Sequence, residues 1–230
     1  MTNVLARVSQ NACARYAERM KILARLLVAP LFAPMFVILI FTFALVSFTP
    51  LAKAFNSPLS VNIIPPVQFP SSEFSVTGAR VSALWGKHRD VYGIDLGLIG
   101  NMTEQRFVGL AVSGLFNQTS GETTILLLQG AIGANLNVQK TAVYGIQLAA
   151  LNKNDAESKL VGLGLGLVNL SPNMSIYGFQ AGLFNTARSV YGFQIGIINQ
   201  TNDLHGLQIG LLNFATNGPF AVSPILNIGW

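Results

Sequence analysis

The sequence predicts an all-β chain, an antiparallel up-and-down meander of about eight to ten strands closed as a transmembrane β-barrel. Three observations carry that expectation. A template, Gly-x-Gln-x-Gly-apolar-apolar-Asn, recurs at 192–199 and 206–213, with weaker copies running back through more than half the chain. Strand-length alternating segments follow one another from Glu73 onward with no helical period between them. Charged residues make up only 10% of the chain, against about 25% in ordinary soluble domains.

The N-terminus reads as a leader. Residues 1–54 carry six basic residues and one acidic one, 6 − 1 = +5, which is the whole formal excess; residues 55–230 carry eight of each sign. A basic nucleic-acid surface is therefore not indicated. A basic segment ending at Arg25, an apolar run over 26–48 and the small-x-small pair Ala52 and Ala54 describe a signal peptide over 1–54, cleaved after Ala54. The apolar run is also long enough to span a bilayer, so a retained anchor is the alternative; Pro30, Pro34 and Pro50 favour cleavage. Met1 and Met20 are alternative starts of translation. Cys13 precedes the apolar run, leaving the mature chain without a thiol for disulfides, nucleophilic catalysis or metal binding.

Residues 55–72, with Pro58, Pro65, Pro66 and Pro70, read as an extended lead-in. The repeat domain is 73–230, with strands expected near 74–86, 91–100, 106–116, 124–134, 142–151, 160–168, 176–184, 190–198, 204–212 and 220–230. Their direction is argued from spacing. The first template glycine falls at Gly145, Gly162, Gly178, Gly192 and Gly206, giving spacings of 17, 16, 14 and 14. Subtracting about ten residues of strand leaves about four to seven for each connection, too few for a parallel crossover of about a dozen. The varying period also argues against solenoid coils stacked in register. Gly-x-Gln-x-Gly reads the same in both directions, so antiparallel strands can set Gln194 opposite Gln208.

Alternation separates two faces. One is apolar (Tyr191, Phe193, Ile195, Ile197); the other is small and amidic (Gly192, Gln194, Gly196). Glycine weakens a strand by about 0.5–1 kcal/mol relative to alanine, with no evident return on a solvated face. An apolar face against lipid fits better. On this reading Arg80, Asp95, Gln129, Gln147, Gln180, Gln194 and Gln208 form a lumen-facing belt, with Arg80 and Asp95 paired. Tyr92, Tyr144, Tyr177 and Tyr191 are interfacial aromatics, and Leu226, Ile228 and Trp230 are a C-terminal insertion signal.

The repeat at 192–199 and 206–213 resembles the bacterial surface-repeat proteins first noted in Leptospira. So do Pro66–Pro70, Val76–Ser82 and Val91–Gly97, and the resemblance covers about residues 58–230. It implies export and a surface or outer-membrane location, and brings no activity or catalytic residue. Ala111 and Gly164 depart from the template at the glutamine position.

No catalytic constellation emerges. His88 lies in a charged turn and His205 in a tyrosine slot, and no histidine pair has metal-ligand spacing. Gly162, Gly164 and Gly166 alternate as a strand does, unlike a phosphate loop. Asn101, Asn117 and Asn199 match the glycosylation pattern but read as turn asparagines. The expected protein is an exported, non-enzymatic outer-membrane barrel, structural or narrowly pore-like, without metal or cofactor. Its partners are the lipid bilayer and the outer-membrane insertion machinery. The alternative is a secreted or surface-attached β-sheet protein that binds a partner through its apolar face.

Overall fold

The asparagine that closes each template copy decides the architecture. In the computed structural model, which describes residues 55–230, these asparagines stack on one another inside a coil. The leader, with Ala52 and Ala54, lies outside the described residues.

The described residues contain strands and turns and no helix. The strands are β1 (Asn56–Ile64), β2 (Val67–Phe69), β3 (Ser75–Ser82), β4 (Trp85–Gly97), β5 (Gly100–Ser113), β6 (Phe116–Thr119), β7 (Glu122–Ala131) and β8 (Ala134–Asn137). They continue with β9 (Thr141–Leu148), β10 (Leu151–Asn154), β11 (Ser158–Leu165), β12 (Val168–Ala181), β13 (Phe184–Ile195), β14 (Ile198–Thr201), β15 (Asp203–Ala215) and β16 (Val222–Gly229). Each coil runs along a long side carrying the Gly-x-Gln segment, rounds a corner, and returns along a short side of about four residues. The long side stacks β3, the second halves of β4 and β5, β7, β9, β11, the second halves of β12 and β13, and the start of β15, all parallel. The short side stacks the first half of β5, then β6, β8, β10 and the first half of β12. It continues through the first half of β13, β14 and the end of β15. The fold is a parallel β-solenoid with two sides per coil.

The antiparallel meander and the closed barrel expected from the sequence are therefore overturned. Gln194 does stand opposite Gln208, but in parallel: Tyr191 meets His205, Gly192 meets Gly206 and Phe193 meets Leu207. A palindromic Gly-x-Gln-x-Gly aligns its glutamines in either direction, so it could not choose between them. The spacing argument failed because the return path is itself the second side. Within the 14 residues from Gly192 to Gly206, the chain completes β13, turns at Gly196–Ile197, makes β14 and enters β15. Unequal coil lengths do not break the register, because the surplus is taken up locally. Register shifts fall at His88/Asp90 and Ser171/Ser175, in turns, and at Gly109/Ala111 opposite a bulge in β7.

That bulge places Leu127, with φ 82°, level with Gly145. The other first template glycines need such a φ for a plain reason. A Cβ at Gly192 (φ 137°) would lie 2.1 Å from the carbonyl oxygen of Gly178 in the coil before it. Antiparallel pairing survives only at the ends, where β2 folds on β1 and β16 on β15. Leu226, Ile228 and Trp230, expected as a barrel insertion signal, belong to this terminal capping segment: Leu226 pairs with Ile209 and Ile228 with Leu207.

Candidate functional site

Two features distinguish this solenoid: amides packed inside it, and an apolar corner outside. The eight asparagines Asn101, Asn117, Asn135, Asn152, Asn169, Asn185, Asn199 and Asn213 form an unbroken ladder, each Nδ2 donating to the Oδ1 of the next at 2.7–3.0 Å. Each Nδ2 donates a second time, to a backbone carbonyl at the next corner. Asn185 reaches Ile195 O at 2.9 Å and Asn199 reaches Ile209 O at 2.9 Å. The corner can be this tight because a side chain, in place of a longer turn, satisfies its carbonyl. Asn101, Asn117 and Asn199 are thus buried core residues, which corrects their reading as turn asparagines.

The glutamines form a second, interrupted ladder. Gln208 donates to Gln194 and Gln194 to Gln180, both at 2.8 Å, and Gln147 donates to Gln129 at 2.9 Å. Ala111 and Gly164 occupy the gaps. Gln129, Gln147, Gln180, Gln194 and Gln208 are buried, but they line no lumen: Gln129 and Gln147 hydrogen-bond Asn137 and Asn154 on the facing side. The belt read from the sequence is a packed interior.

At the N-terminal end of the same column Arg80 and Asp95 form a two-bonded ion pair, fully enclosed. Arg80 Nη1 also donates to the Met102 carbonyl at 2.8 Å and lies 3.5 Å from His88 Nδ1. His88 Nε2 lies 3.3 Å from both the Pro70 carbonyl and Ser60 Oγ. A carbonyl can only accept and a guanidinium only donate, so Nε2 carries the ring proton, Nδ1 facing Arg80 carries none, and the imidazole is neutral. Burial first, and the Arg80 charge second, lower the His88 pKa to about 4. Ser60 Oγ donates to Asn62 Oδ1, and Ser60, Arg80 and His88 are closed to solvent. This cluster pins β1, β3 and β4 together. The histidine read as part of a charged surface turn is instead interior.

The exterior carries the inverse chemistry. Seven of the eight turns from the long to the short side expose a leucine or isoleucine, the exception being Ala149-Ala150; Leu98, Ile132 and Leu211 are 74, 77 and 67% exposed. The corner segments 97–100, 113–116, 130–134, 148–151, 165–168, 181–184, 195–198 and 209–212 contain no charged residue. Of the 8 + 8 = 16 charged residues in 55–230, Arg80 and Asp95 are inside. The other fourteen lie in or beside the turns of the opposite edge. Several pair there, among them Lys87 with Glu104 and Arg106 with Glu122.

Tyr144, Tyr177 and Tyr191 share one outward column on the long side, with Val161 between the first two, next to the charged edge; the bulge in β7 offsets Tyr92 from it. Tyr177 stacks on Tyr191 at 4.8 Å and Tyr191 on His205 at 4.6 Å, and Lys159 lies 5.0 Å above the Tyr177 ring. His205 thus stands where the tyrosine slot of the repeat places it. The sequence reading missed the asparagine ladder and the corner row. Their common signal was the invariable Asn after two apolar residues, the one non-palindromic part of the template. Among the described residues, no cluster of three or more His, Cys, Asp or Glu is placed to hold a metal. No family model, curated protein or solved structure matches this chain.

Proposed function

We propose that this chain is an exported, non-enzymatic solenoid, attached at the cell surface or outer membrane, that works as a docking surface through its apolar exterior. The observation that carries the reading is the row of exposed leucine and isoleucine on the corners, interrupted at Ala149-Ala150. Soluble monomers seldom expose a contiguous apolar patch of more than a few hundred Å² unless it is an interaction site. The basic start, apolar run and small-residue site of residues 1–54 support export, and the resemblance to surface-repeat proteins supports the location.

Fractionation of expressing cells, with N-terminal sequencing of the recovered protein, tests this. The expected result is a chain beginning at Phe55 that stays with the envelope through high-salt and alkaline washing. The doubly substituted Leu183→Lys, Ile197→Lys chain should then be released. An unsubstituted mature chain that is soluble and monomeric would sink the proposal.

A further inference from the structure

We infer that the occupant of this surface is a lipid bilayer, entered edge-first by the apolar corner while the charged edge stays in water. The inference rests on the docking reading above and commits it to one partner.

Four independent observations favour lipid. The first is segregation of charge: the fourteen surface charges lie in or beside the turns opposite the corner, with Lys87 and Lys153 toward the far end of the short side. They derive from a described region of zero net formal charge, so attraction to anionic headgroups is not the driving force.

The second is backbone satisfaction. Hydrocarbon tolerates only structures whose peptide groups are already paired, and turns ordinarily fail that test. Here the corner N–H groups donate to the corner of the coil before: Leu115 to Ile99, Leu183 to Leu167, Ile197 to Leu183 and Leu212 to Ile197. The Ile195 carbonyl accepts from both Gly182 N–H and Asn185 Nδ2. Amide groups sit inside and alkyl groups outside at this corner.

The third is shape. The corner is a convex crest with apolar residues on both flanks, such as Phe193 on one and Phe184 on the other. Two such crests would cover little of each other, whereas acyl chains conform to a ridge.

The fourth is the order of residues away from the crest. On the short side Lys153 and Gln200 stand two residues beyond Leu151 and Ile198, which stops immersion about 7 Å beyond those two residues at ~3.3 Å per residue. That is the depth typical of interfacial elements, about 5–10 Å. On the long side apolar residues continue to the tyrosine column, so this face leans toward the lipid. The tyrosines then stand on the side of the headgroups, where amphipathic rings are favoured.

Site-specific depth measurement in the full chain tests the inference without confusing the corner with the leader. In a Cys13→Ser background, single Leu183→Cys, Ile197→Cys and Arg188→Cys variants are labelled with an environment-sensitive fluorophore. They are reconstituted with phosphatidylcholine vesicles carrying nitroxide lipids. The expected result is several-fold stronger lipid quenching at 183 and 197 than at 188, with iodide quenching in the reverse order and no dependence on salt. Corner labels shielded from iodide but untouched by nitroxide lipids would show a protein covering the crest, a second copy or another chain. That outcome overturns the lipid assignment and leaves the docking reading standing. Corner labels open to iodide in the presence of vesicles and of whole-envelope extract would overturn both.

Discussion

Two glycines two residues apart in β11 have opposite jobs. Gly162, at φ 132°, would put a Cβ 2.1 Å from the Gly145 carbonyl oxygen, so the coil spacing itself excludes a side chain. Gly164 needs no such φ, and its added Cβ would meet the Leu160 methyl at 3.3 Å and Gln180 Cγ at 3.6 Å, both side-chain atoms. Gly162→Ala should therefore destabilise by about 3 kcal/mol, while Gly164→Ala should stabilise by about 0.5–1 kcal/mol by stiffening a strand; urea unfolding of both variants reads the contrast. His88 supplies a pH term. Its pKa is about 4 when folded, below the ordinary value of 6.5, so the unfolded chain binds the extra proton first. The stability is present above about pH 6.5 and is lost as pH falls toward 4. Between about pH 7 and 5 the loss should be about 1–2 kcal/mol, measured as a falling denaturation midpoint that is flattened in His88→Gln and unchanged in His205→Gln.

At the scale of the element, the corner and the asparagine ladder are one device. Asn185 accepts from Asn169 and donates to Asn199 and to Ile195 O, all within 2.7–2.9 Å and fully buried. Removing it strands Asn199 Oδ1 and takes one bond each from the Asn169 amide, which keeps the Ala181 carbonyl, and from the Ile195 carbonyl, which keeps Gly182 N–H. Asn185→Ala should cost about 3 kcal/mol, and Asn185→Asp more, because it buries an unpaired charge and turns a second oxygen toward the acceptors Asn199 Oδ1 and Ile195 O. Asn101 is the first rung, with an Oδ1 that no protein group reaches. Asn101→Ala should cost about 1 kcal/mol less than Asn185→Ala, as comparative thermal melts would show. The outward and inward sets of each strand were legible from alternation alone, since Tyr191 and Phe193 face out and Gln194 in. What alternation could not reveal was where one side ends and the next begins. The segment Gly196-Ile197-Ile198-Asn199 looks like a continuing strand but is a corner followed by the start of another.

For the molecule as a whole, a parallel stack has two open ends, and each is blunted differently. At one end β2 is three residues long, flanked by Pro65, Pro66 and Pro70. At the other, β16 runs antiparallel over β15 and carries Pro224 and the positive-φ residue Ile225 (φ 67°), features that spoil a further ladder. Deleting residues 219–230 should uncover the edge of β15 and produce concentration-dependent end-to-end oligomers by size-exclusion chromatography. A deletion that remains monomeric would show that the cap has no protective role. Across the stack, the pairing of an amide-filled corner with an alkyl exterior reverses the usual order of a soluble protein. That reversal holds at one edge only: Val76, Val91, Val143, Val190 and Leu204 make an ordinary apolar core beside the charged turns.

The sequence by itself determined the strand content and the outward apolar and inward amide sets. These depend on alternation and composition, which are local. Strand direction, and with it the choice between barrel and solenoid, was decided only in three dimensions. A short connection is diagnostic of a hairpin only if it is a loop, and here it is a second strand closed by side-chain amides. The segregation of corner from charged edge was likewise invisible along the chain, because it depends on residues 14–18 positions apart falling into one column.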